Sequence, residues 1–312
     1  MIKDSTLEIG GVSVAVSRLD KIFYPKTGFT KGDVIDYYIR ISPFLLPHLK
    51  GRPVSLKRYP NGVEGFFFYE KNCPDYRPKW MKTIEVAKSD GGKIQYCAMD
   101  DLPALVWAVN LADLELHTFL HRYPAMHRPT CLAFDLDPGP PAGILQCAQV
   151  ALLLREIFQG LEMEVFAKTS GSKGMQVYVP LNTPTTYEKT KKVAETIAKA
   201  LAERFPDRIT GLMNKAKRAG KVFVDWSQND EKKTTVCVYS LRAKDHPTVS
   251  APVTWSEVEA SVKRQRPLGF EAGDILSRVE KRGDLFAPVL SLKQKLPPLT
   301  RVRACLEQLS PG

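Results

Sequence analysis

The sequence predicts an α+β fold with a central, largely antiparallel sheet flanked by helices. Two observations predict it. Strand-like and helix-like segments mix without the strict βαβ alternation of a doubly wound fold, and several strand pairs are joined by short turn signals of the hairpin kind. At 312 residues the chain has ample length for a full core, as one large domain or two small ones. We expect one domain over residues 1–295, with an N-terminal part to about 130 and a catalytic part over about 131–250, followed by a C-terminal tail over 296–312.

The elements follow in order. Lys31-Gly32-Asp33 opens a helix through Val34, Ile35, Tyr37, Tyr38 and Ile41 that is expected to stop near Ser42-Pro43. Arg52 to Tyr59 reads as a strand, Pro60-Asn61-Gly62 as a turn and Gly65 to Tyr69 as the return strand. Ile84 to Val86 and Lys93 to Tyr96 flank Asp90-Gly91-Gly92 as a hairpin, and Leu102 to Leu120 is helical in pattern. A buried strand at Cys131 to Asp137 ends at Pro138-Gly139, and Ile144 to Phe158 reads as a helix. Glu164 to Lys168 and Met175 to Pro180 are strands around a glycine-rich turn. Thr186 to Phe205 is an amphipathic helix with Val193, Ile197, Ala200, Leu201 and Phe205 on one face. Strands at Val222 to Asp225 and Thr235 to Tyr239 follow, then a helix at Trp255 to Lys263 and a proline-rich basic tail.

Composition narrows the partners. Hydrophobic content of 44% and charged content of 25% are ordinary for a globular protein, but a net charge of +11 is not. It points to a polyanion, nucleic acid before an anionic membrane. No apolar run approaches the ~20 residues of a spanning helix, and Met1-Ile2-Lys3-Asp4 lacks a signal-peptide core. The six cysteines, Cys73, Cys97, Cys131, Cys147, Cys237 and Cys305, show no C-x-x-C spacing. That argues against a zinc site or disulfide framework and for a reducing cytoplasm.

The chemistry concentrates at Phe134-Asp135-Leu136-Asp137-Pro138. In a strand Asp135 and Asp137 point to one face. Carboxylates held that close repel unless a cation lies between them or one takes a proton. Asp225 ends another short apolar strand and is a third candidate ligand. Three aspartates without His or Cys make a hard-oxygen site suited to Mg²⁺ or Mn²⁺, of the sort that serves phosphoryl or nucleotidyl transfer. Alone, D-x-D is equally a strand-end turn with solvated carboxylates.

Other segments add parts. Thr169-Ser170-Gly171-Ser172-Lys173-Gly174 offers small residues, hydroxyls and a lysine to an anion, although it lacks Walker A spacing and alone reads as a hairpin turn. Arg242 follows Asp225-Trp226-Ser227-Gln228-Asn229 and Lys232-Lys233 in the chain, and its planar fork suits a phosphate. His117 precedes the D-x-D strand by a short connection and is a candidate for the same site, against the ordinary reading of a structural histidine. In Phe66-Phe67-Phe68-Tyr69 half the rings should face outward, free to stack on a base, and half should pack inward. Basic residues cluster at Lys21, Lys26 and Lys31, and at Lys215, Lys217, Arg218 and Lys221. Such runs are usually solvated surface, but the net charge suits both to phosphate contact.

Together these segments resemble the polymerase domain of bacterial ligase D, of the archaeo-eukaryotic primase superfamily. The resemblance is carried by Leu19–Pro25, Gly51–Val54, Phe68–Asn72, Leu114–His117, Phe134–Pro138, Lys168–Gly174, Val224–Asn229 and Tyr239–Ala243, in order over about residues 15–295. It implies a primase-like catalytic core that extends a DNA 3′ end with NTPs or dNTPs in non-homologous end joining. It implies that Asp135, Asp137 and Asp225 hold two Mn²⁺ or Mg²⁺ ions. Ser170, Ser172 and Lys173 would cradle phosphates with Arg242, Lys57 and His117 would touch the incoming nucleotide, and Gln228 and Arg218 would lie close by. Lys21 and Lys31 match positions that hold the 5′-phosphate of a gap or break, and Phe68 and Tyr69 match an aromatic pair stacking at the template end. A Ku-type end-binding protein and an ATP-dependent DNA ligase are the implied partners, in the cytoplasm on the nucleoid.

Two positions depart from the family. Gln176 stands where the family has His, which removes a positive charge and predicts a weaker hold on triphosphate; Tyr69 replaces a second Phe, and stacking should survive that change. No adenylation lysine of a ligase is visible after residue 295, so the chain is expected to be a stand-alone polymerase or a polymerase domain alone. Three rivals remain: a metal-dependent nuclease or phosphodiesterase, a non-catalytic DNA-end-binding module, and a dedicated primase.

Overall fold

A computed structural model describes residues 5–88, 91–214 and 218–309. Asp90 of the expected hairpin, and Lys215 and Lys217 of the second basic cluster, lie outside these residues. The chain divides into two compact units. Unit 1 comprises residues 1–124, 234–250 and 270–284; unit 2 comprises 125–233, 251–269 and 285–312. Strands and helices mix as expected, and the strand pairs of both units are antiparallel but for one.

Unit 1 contains β1 (Ser5–Ile9), β2 (Val12–Val16), β3 (Ile22–Tyr24), β4 (Phe29–Thr30), α1 (Lys31–Leu49), β5 (Pro53–Arg58), β6 (Phe68–Glu70), β7 (Thr83–Ala87), β8 (Lys93–Ala98), α2 (Leu102–Asn110) and β9 (Asp113–Thr118). Later chain adds β15 (Thr235–Val236) and α6 (Ala272–Arg282). Its main sheet runs β15-β9-β5-β8-β7, with β6 also on β5. Unit 2 contains β10 (Cys131–Pro138), α3 (Ile144–Gly160), β11 (Phe166–Thr169), β12 (Met175–Pro180), α4 (Tyr187–Arg204), β13 (Ile209–Thr210), β14 (Val222–Asp225), β16 (Pro252–Val253), α5 (Trp255–Arg264), α7 (Pro288–Ser291) and α8 (Leu299–Glu307). Its sheet runs β13-β14-β10-β12-β11-β16, and β13–β14 is the parallel pair.

Several elements differ from expectation. Helix α1 continues through Pro43 and Pro47 to Leu49. Pro43 cannot donate to the Ile39 carbonyl, and the Ser42 hydroxyl donates to it instead at 2.8 Å. The extra turns bury Leu45 and Leu49 fully, which outweighs the local cost of proline. The expected helix over Leu102 to Leu120 is α2 followed by β9. Ala112 takes φ of 67°, and its carbonyl accepts from Tyr59 N–H at 2.8 Å, so the chain turns into the sheet there. The return strand is only Phe68–Glu70, and the 235–239 strand shrinks to two residues. The basic tail contains three helices that its proline content concealed: α6, α7 and α8.

Cysteine usage also needs correction. Cys73 and Cys97 form a disulfide, with Cα atoms 5.0 Å apart. The loop after β6 folds onto β8, where Asn72 Oδ1 accepts from Gln95 N–H at 3.0 Å, and this sets two cysteines 24 residues apart side by side. Cys131, Cys147 and Cys237 are buried thiols, as expected.

Candidate active site

In unit 2 the register of four strands builds one transverse polar rank. Asp135 of β10 pairs with Asp225 of β14 on one side and with Gln176 of β12 on the other. Gln176 in turn pairs with Lys168 of β11. Residues paired across a sheet share a face, so Lys168, Gln176, Asp135 and Asp225 stand in line, and Asp137 follows on the same side of β10. The rows beside this rank, including Leu136, Met175 and Val224, are fully buried and fix the register.

Each carboxylate is held. Gln176 Nε2 donates to Asp135 Oδ1 at 3.1 Å. Asp225 Oδ1 accepts from Ser227 N–H at 2.8 Å and from the Ser227 hydroxyl at 2.6 Å, while its Oδ2 accepts from Gln228 Nε2 at 3.0 Å. This is an Asx-type turn, and Asn229 clamps it to β10 by bonding the Ala133 N–H and carbonyl at 2.9 and 2.7 Å. Asp137 Oδ2 accepts from Arg218 Nη1 at 3.2 Å, and the Arg218 guanidinium lies over the Phe223 ring at 3.7 Å.

Burial raises the Asp135 carboxyl to about 6; the Gln176 bond opposes that, the charges of Asp225 and Asp137 add to it, and Lys168 offsets part. An acid so placed favours either a proton or a cation. The donor set fits a hard divalent ion, because the three aspartates offer oxygen alone and share one face. Among the described residues, no three His, Cys, Asp or Glu side chains already converge as a closed metal cage. Asp137 and Asp225 are engaged by Arg218, Ser227 and Gln228, and an ion would have to draw them in.

The turn after β11 is tight. Ser170 N–H donates to the Gly174 carbonyl at 2.9 Å, and the Ser170 Oγ accepts from the amides of Ser172 and Gly174, each at 3.2 Å. Ser172 and Lys173 are exposed at its tip. Two glycines permit close approach here: a Cβ on Gly174 would lie 2.0 Å from the Leu136 carbonyl oxygen, and one on Gly139 would lie 2.0 Å from that of Arg218.

In unit 1 a second polar cluster forms around Glu115 of β9, which is 1% exposed. Its Oε2 lies 3.1 Å from His117 Nε2 and 3.4 Å from Lys57 Nζ, and its Oε1 lies 3.3 Å from Arg242 Nε. The same Oε1 accepts from Ala243 N–H at 3.0 Å. Burial alone would raise this carboxyl, but the His117 bond and the charges of Arg242 and Lys57 hold it well below the ordinary range. His117 is pushed down by burial, against Glu115 and with help from Arg242 and Lys57. His117 is therefore neutral near pH 7, and two permanent cations face one carboxylate. The sequence singled out Lys57, His117 and Arg242; Glu115, the hub, was not among the candidates.

The aromatic run splits between two faces. Phe67 and Tyr69 join Tyr59 around Lys57, whose Nζ lies 4.6, 5.6 and 5.2 Å from the three ring centroids. Phe68 instead stacks with Phe66 at 6.0 Å and lies under the Arg58 guanidinium at 5.2 Å. Phe68 and Tyr69, expected as one stacking pair, thus serve different surroundings, because adjacent strand residues alternate in direction.

Lys21 and Lys31 do come together. They line a cavity of 310 Å³ with Ser17, Arg18, Phe23, Arg58 and Asn110 among its walls. Lys21 Nζ donates to the Pro60 carbonyl at 2.6 Å, and Lys31 Nζ donates to the Ser17 carbonyl at 2.6 Å. The sequence did not single out Arg18 or Arg58 for this cavity. Lys26 lies apart, paired with Asp245.

Comparison with known proteins shows the family and the fold. The family described as LigD, primase-polymerase domain, matches residues 30–286. The chain is 39% identical over 278 residues to the multifunctional non-homologous end joining protein LigD of Mycolicibacterium smegmatis, covering 88% of this chain and 36% of that protein. It is 34% identical over 266 residues to the bifunctional non-homologous end joining protein LigD of Bacillus subtilis, covering 85% of this chain and 42% of that one. The chain thus spans well under half the length of these curated relatives. Among solved structures, the polymerase domain of Mycobacterium tuberculosis ligase D in complex with DNA aligns with a TM-score of 0.84 at 37% identity, over 90% of this chain and 99% of that one.

Proposed function

The chain belongs to the LigD primase-polymerase family, and from that premise we propose that it is a template-dependent nucleotidyltransferase that extends or fills DNA ends and gaps with NTPs or dNTPs. The observation that carries this reading is the pairing of Asp135 with Asp225 across two strands, with Asp137 on the same side. These three carboxylates would hold two Mn²⁺ or Mg²⁺ ions. Such ions, when bound, activate a primer 3′-hydroxyl and neutralise a triphosphate.

The chain's own groups carry the rest. Gln228 and Ser227 orient Asp225, and Gln176 orients Asp135. Arg218 positions Asp137 and would swing to phosphate when the carboxylate turns to an ion. Ser170, Ser172 and Lys173 would take the triphosphate. Lys57, Arg242 and neutral His117 would take the incoming nucleotide, with Glu115 keeping their side chains in place. Lys21 and Lys31 would bind the 5′-phosphate across a gap, Phe68 would stack beside it, and Tyr69 would stack on the nucleotide side. The relatives' names supply the setting of non-homologous end joining; a Ku-type end-binding protein and an ATP-dependent DNA ligase would be its partners there, on the nucleoid. No helix of the described residues is long and apolar enough to cross a membrane.

Extension of a labelled primer on a gapped duplex, with Mn²⁺ and either NTPs or dNTPs, tests the proposal. Templated addition should vanish in Asp135→Ala with Asp137→Ala, and weaken when the downstream 5′-phosphate is removed or Lys21 and Lys31 become Ala. Metal-independent binding of the same DNA without addition would instead mark an end-binding module. Strand degradation would mark a nuclease.

A further inference from the structure

A groove in unit 2 has no part in the chemistry above. It encloses 690 Å³, and its lining includes Thr185, Lys189, Lys192, Val193, Lys295 and Leu296. One wall is the first turns of α4. The other is the extended segment before α8, fastened by side-chain bonds to backbone. Thr183 Oγ1 donates to the Gln294 carbonyl at 2.6 Å, Gln294 Nε2 donates to the Pro180 carbonyl at 2.8 Å, and Asn182 Nδ2 donates to the Leu292 carbonyl at 2.8 Å. The groove is therefore built by two anchored walls.

Its chemistry is amphipathic. Val193 and Leu296 offer an apolar floor, while Lys189 and Lys192 stand exposed on one wall and Lys295 on the other. Lys192 has Glu195 at 3.4 Å. Among the described residues, neither Lys189 nor Lys295 has an ion-pair partner within 4.0 Å. Among the described residues Glu188 is the single acidic one in the lining, which therefore carries a positive excess. The Thr185 hydroxyl, in a residue only 8% exposed, has no hydrogen-bond partner among the described residues, and a buried polar group of this kind calls for one.

We propose that this groove docks an acidic, leucine-bearing segment of a partner protein. Cations on both walls would grip carboxylates while aliphatic side chains fill the floor. The groove has no arginine and no aromatic ring in its lining, which fits a peptide better than the stacked bases of a nucleic acid.

The test is fluorescence anisotropy of the full chain with a short labelled peptide alternating glutamate and leucine. Saturable binding is expected, weakened about tenfold or more by Lys189→Glu with Lys295→Glu, and transferred in that variant to a lysine–leucine peptide. Primer extension by the variant should be unchanged, which separates failure here from failure of the polymerase reading. Absence of binding would overturn the proposal. So would equal binding of a glutamate–serine peptide, which needs no apolar floor, or displacement of the peptide by gapped duplex DNA.

Discussion

Asp135, half-buried, and Glu115, fully buried, are both acids set in a sheet, yet their surroundings drive them in opposite directions. Asp135 has Asp225 and Asp137 beside it, and its carboxyl rises to about 6. Glu115 has His117, Arg242 and Lys57 beside it, and its carboxyl falls well below the ordinary range. Burial acts the same way on both; the neighbours decide the outcome. The difference shows what each region still requires. The rank in unit 2 concentrates negative charge and calls for a cation. The cluster in unit 1 holds its acid in place and leaves a cationic excess for an anion.

The largest expected effects break the acidic side of that comparison. Asp135→Ala should lower primer extension by more than about a hundredfold, since even outer-sphere partners of a metal cost 10–100-fold. Asp135→Asn is the sharper probe. In the wild-type chain without metal, the folded acid titrates near 6 and the unfolded acid near ~3.9. The folded state therefore binds more protons between those values, and the stability Asp135 lends at low pH is lost as pH rises to about 6. The change is at most roughly 3 kcal/mol. Asp135→Asn should flatten that slope, raise Tm at pH 7 without metal, and erase the stabilisation that Mn²⁺ confers on the wild type. Calorimetry across pH with and without Mn²⁺ checks all three, and an unaltered Mn²⁺ response would remove Asp135 from the ligand set.

Next in size is the removal of the hub from the cationic side. Glu115→Gln leaves Lys57 and Arg242 without their shared carboxylate and should cost about 3 kcal/mol, the scale of breaking a buried pair. The sign with pH is opposite to that of Asp135. A depressed folded value means that the stability from Glu115 is present above the ordinary carboxylate range and is lost as pH falls below it. Urea denaturation at pH 7 and pH 3 should therefore show a variant deficit that shrinks in acid. An equal deficit at both would make Glu115 a packing residue rather than a counter-charge.

The same contrast explains what the sequence could reveal. The carboxylates of the acidic rank are legible because each is signalled locally: short apolar runs at Cys131–Phe134 and Val222–Val224 each end in Asp, and Met175–Pro180 follows a glycine and ends in proline. The Glu115 cluster joins residues 57, 115 and 242 through strand pairing and a returning loop, which no window of sequence contains. Its strand reads as helix in the sequence because the apolar spacing of α2 continues through Leu114 and Leu116. The same limit hid the Cys73–Cys97 pair. Proline, taken as a stop in α1 and as a mark of loop after residue 265, was overridden by burial of Leu45, Leu49, Ile275 and Val302.

The smallest effect lies at the point where the rank passes from negative to positive. Gln176 donates to Asp135, and its own Oε1 accepts from the Tyr178 hydroxyl at 3.4 Å. Lys168, 1% exposed, follows in the rank with its Nζ 5.6 Å from the Tyr178 ring. A histidine at 176 would bring a second cationic donor next to Asp135 and toward any triphosphate held there. Gln176→His should lower KM for the nucleotide by a few fold, about 1 kcal/mol for one charge-assisted bond, with little change in kcat. Lys168→Met should act oppositely on the carboxylates. With this buried positive charge gone, their mutual repulsion is less offset, Tm without metal falls, and the Mn²⁺ needed for half-maximal stabilisation decreases. Steady-state kinetics on the first variant and Mn²⁺ titration of Tm on the second separate two roles for this end of the rank. If Gln176→His leaves KM unchanged while Lys168→Met shifts the Mn²⁺ requirement, the whole rank serves the ion, and the triphosphate is held without it.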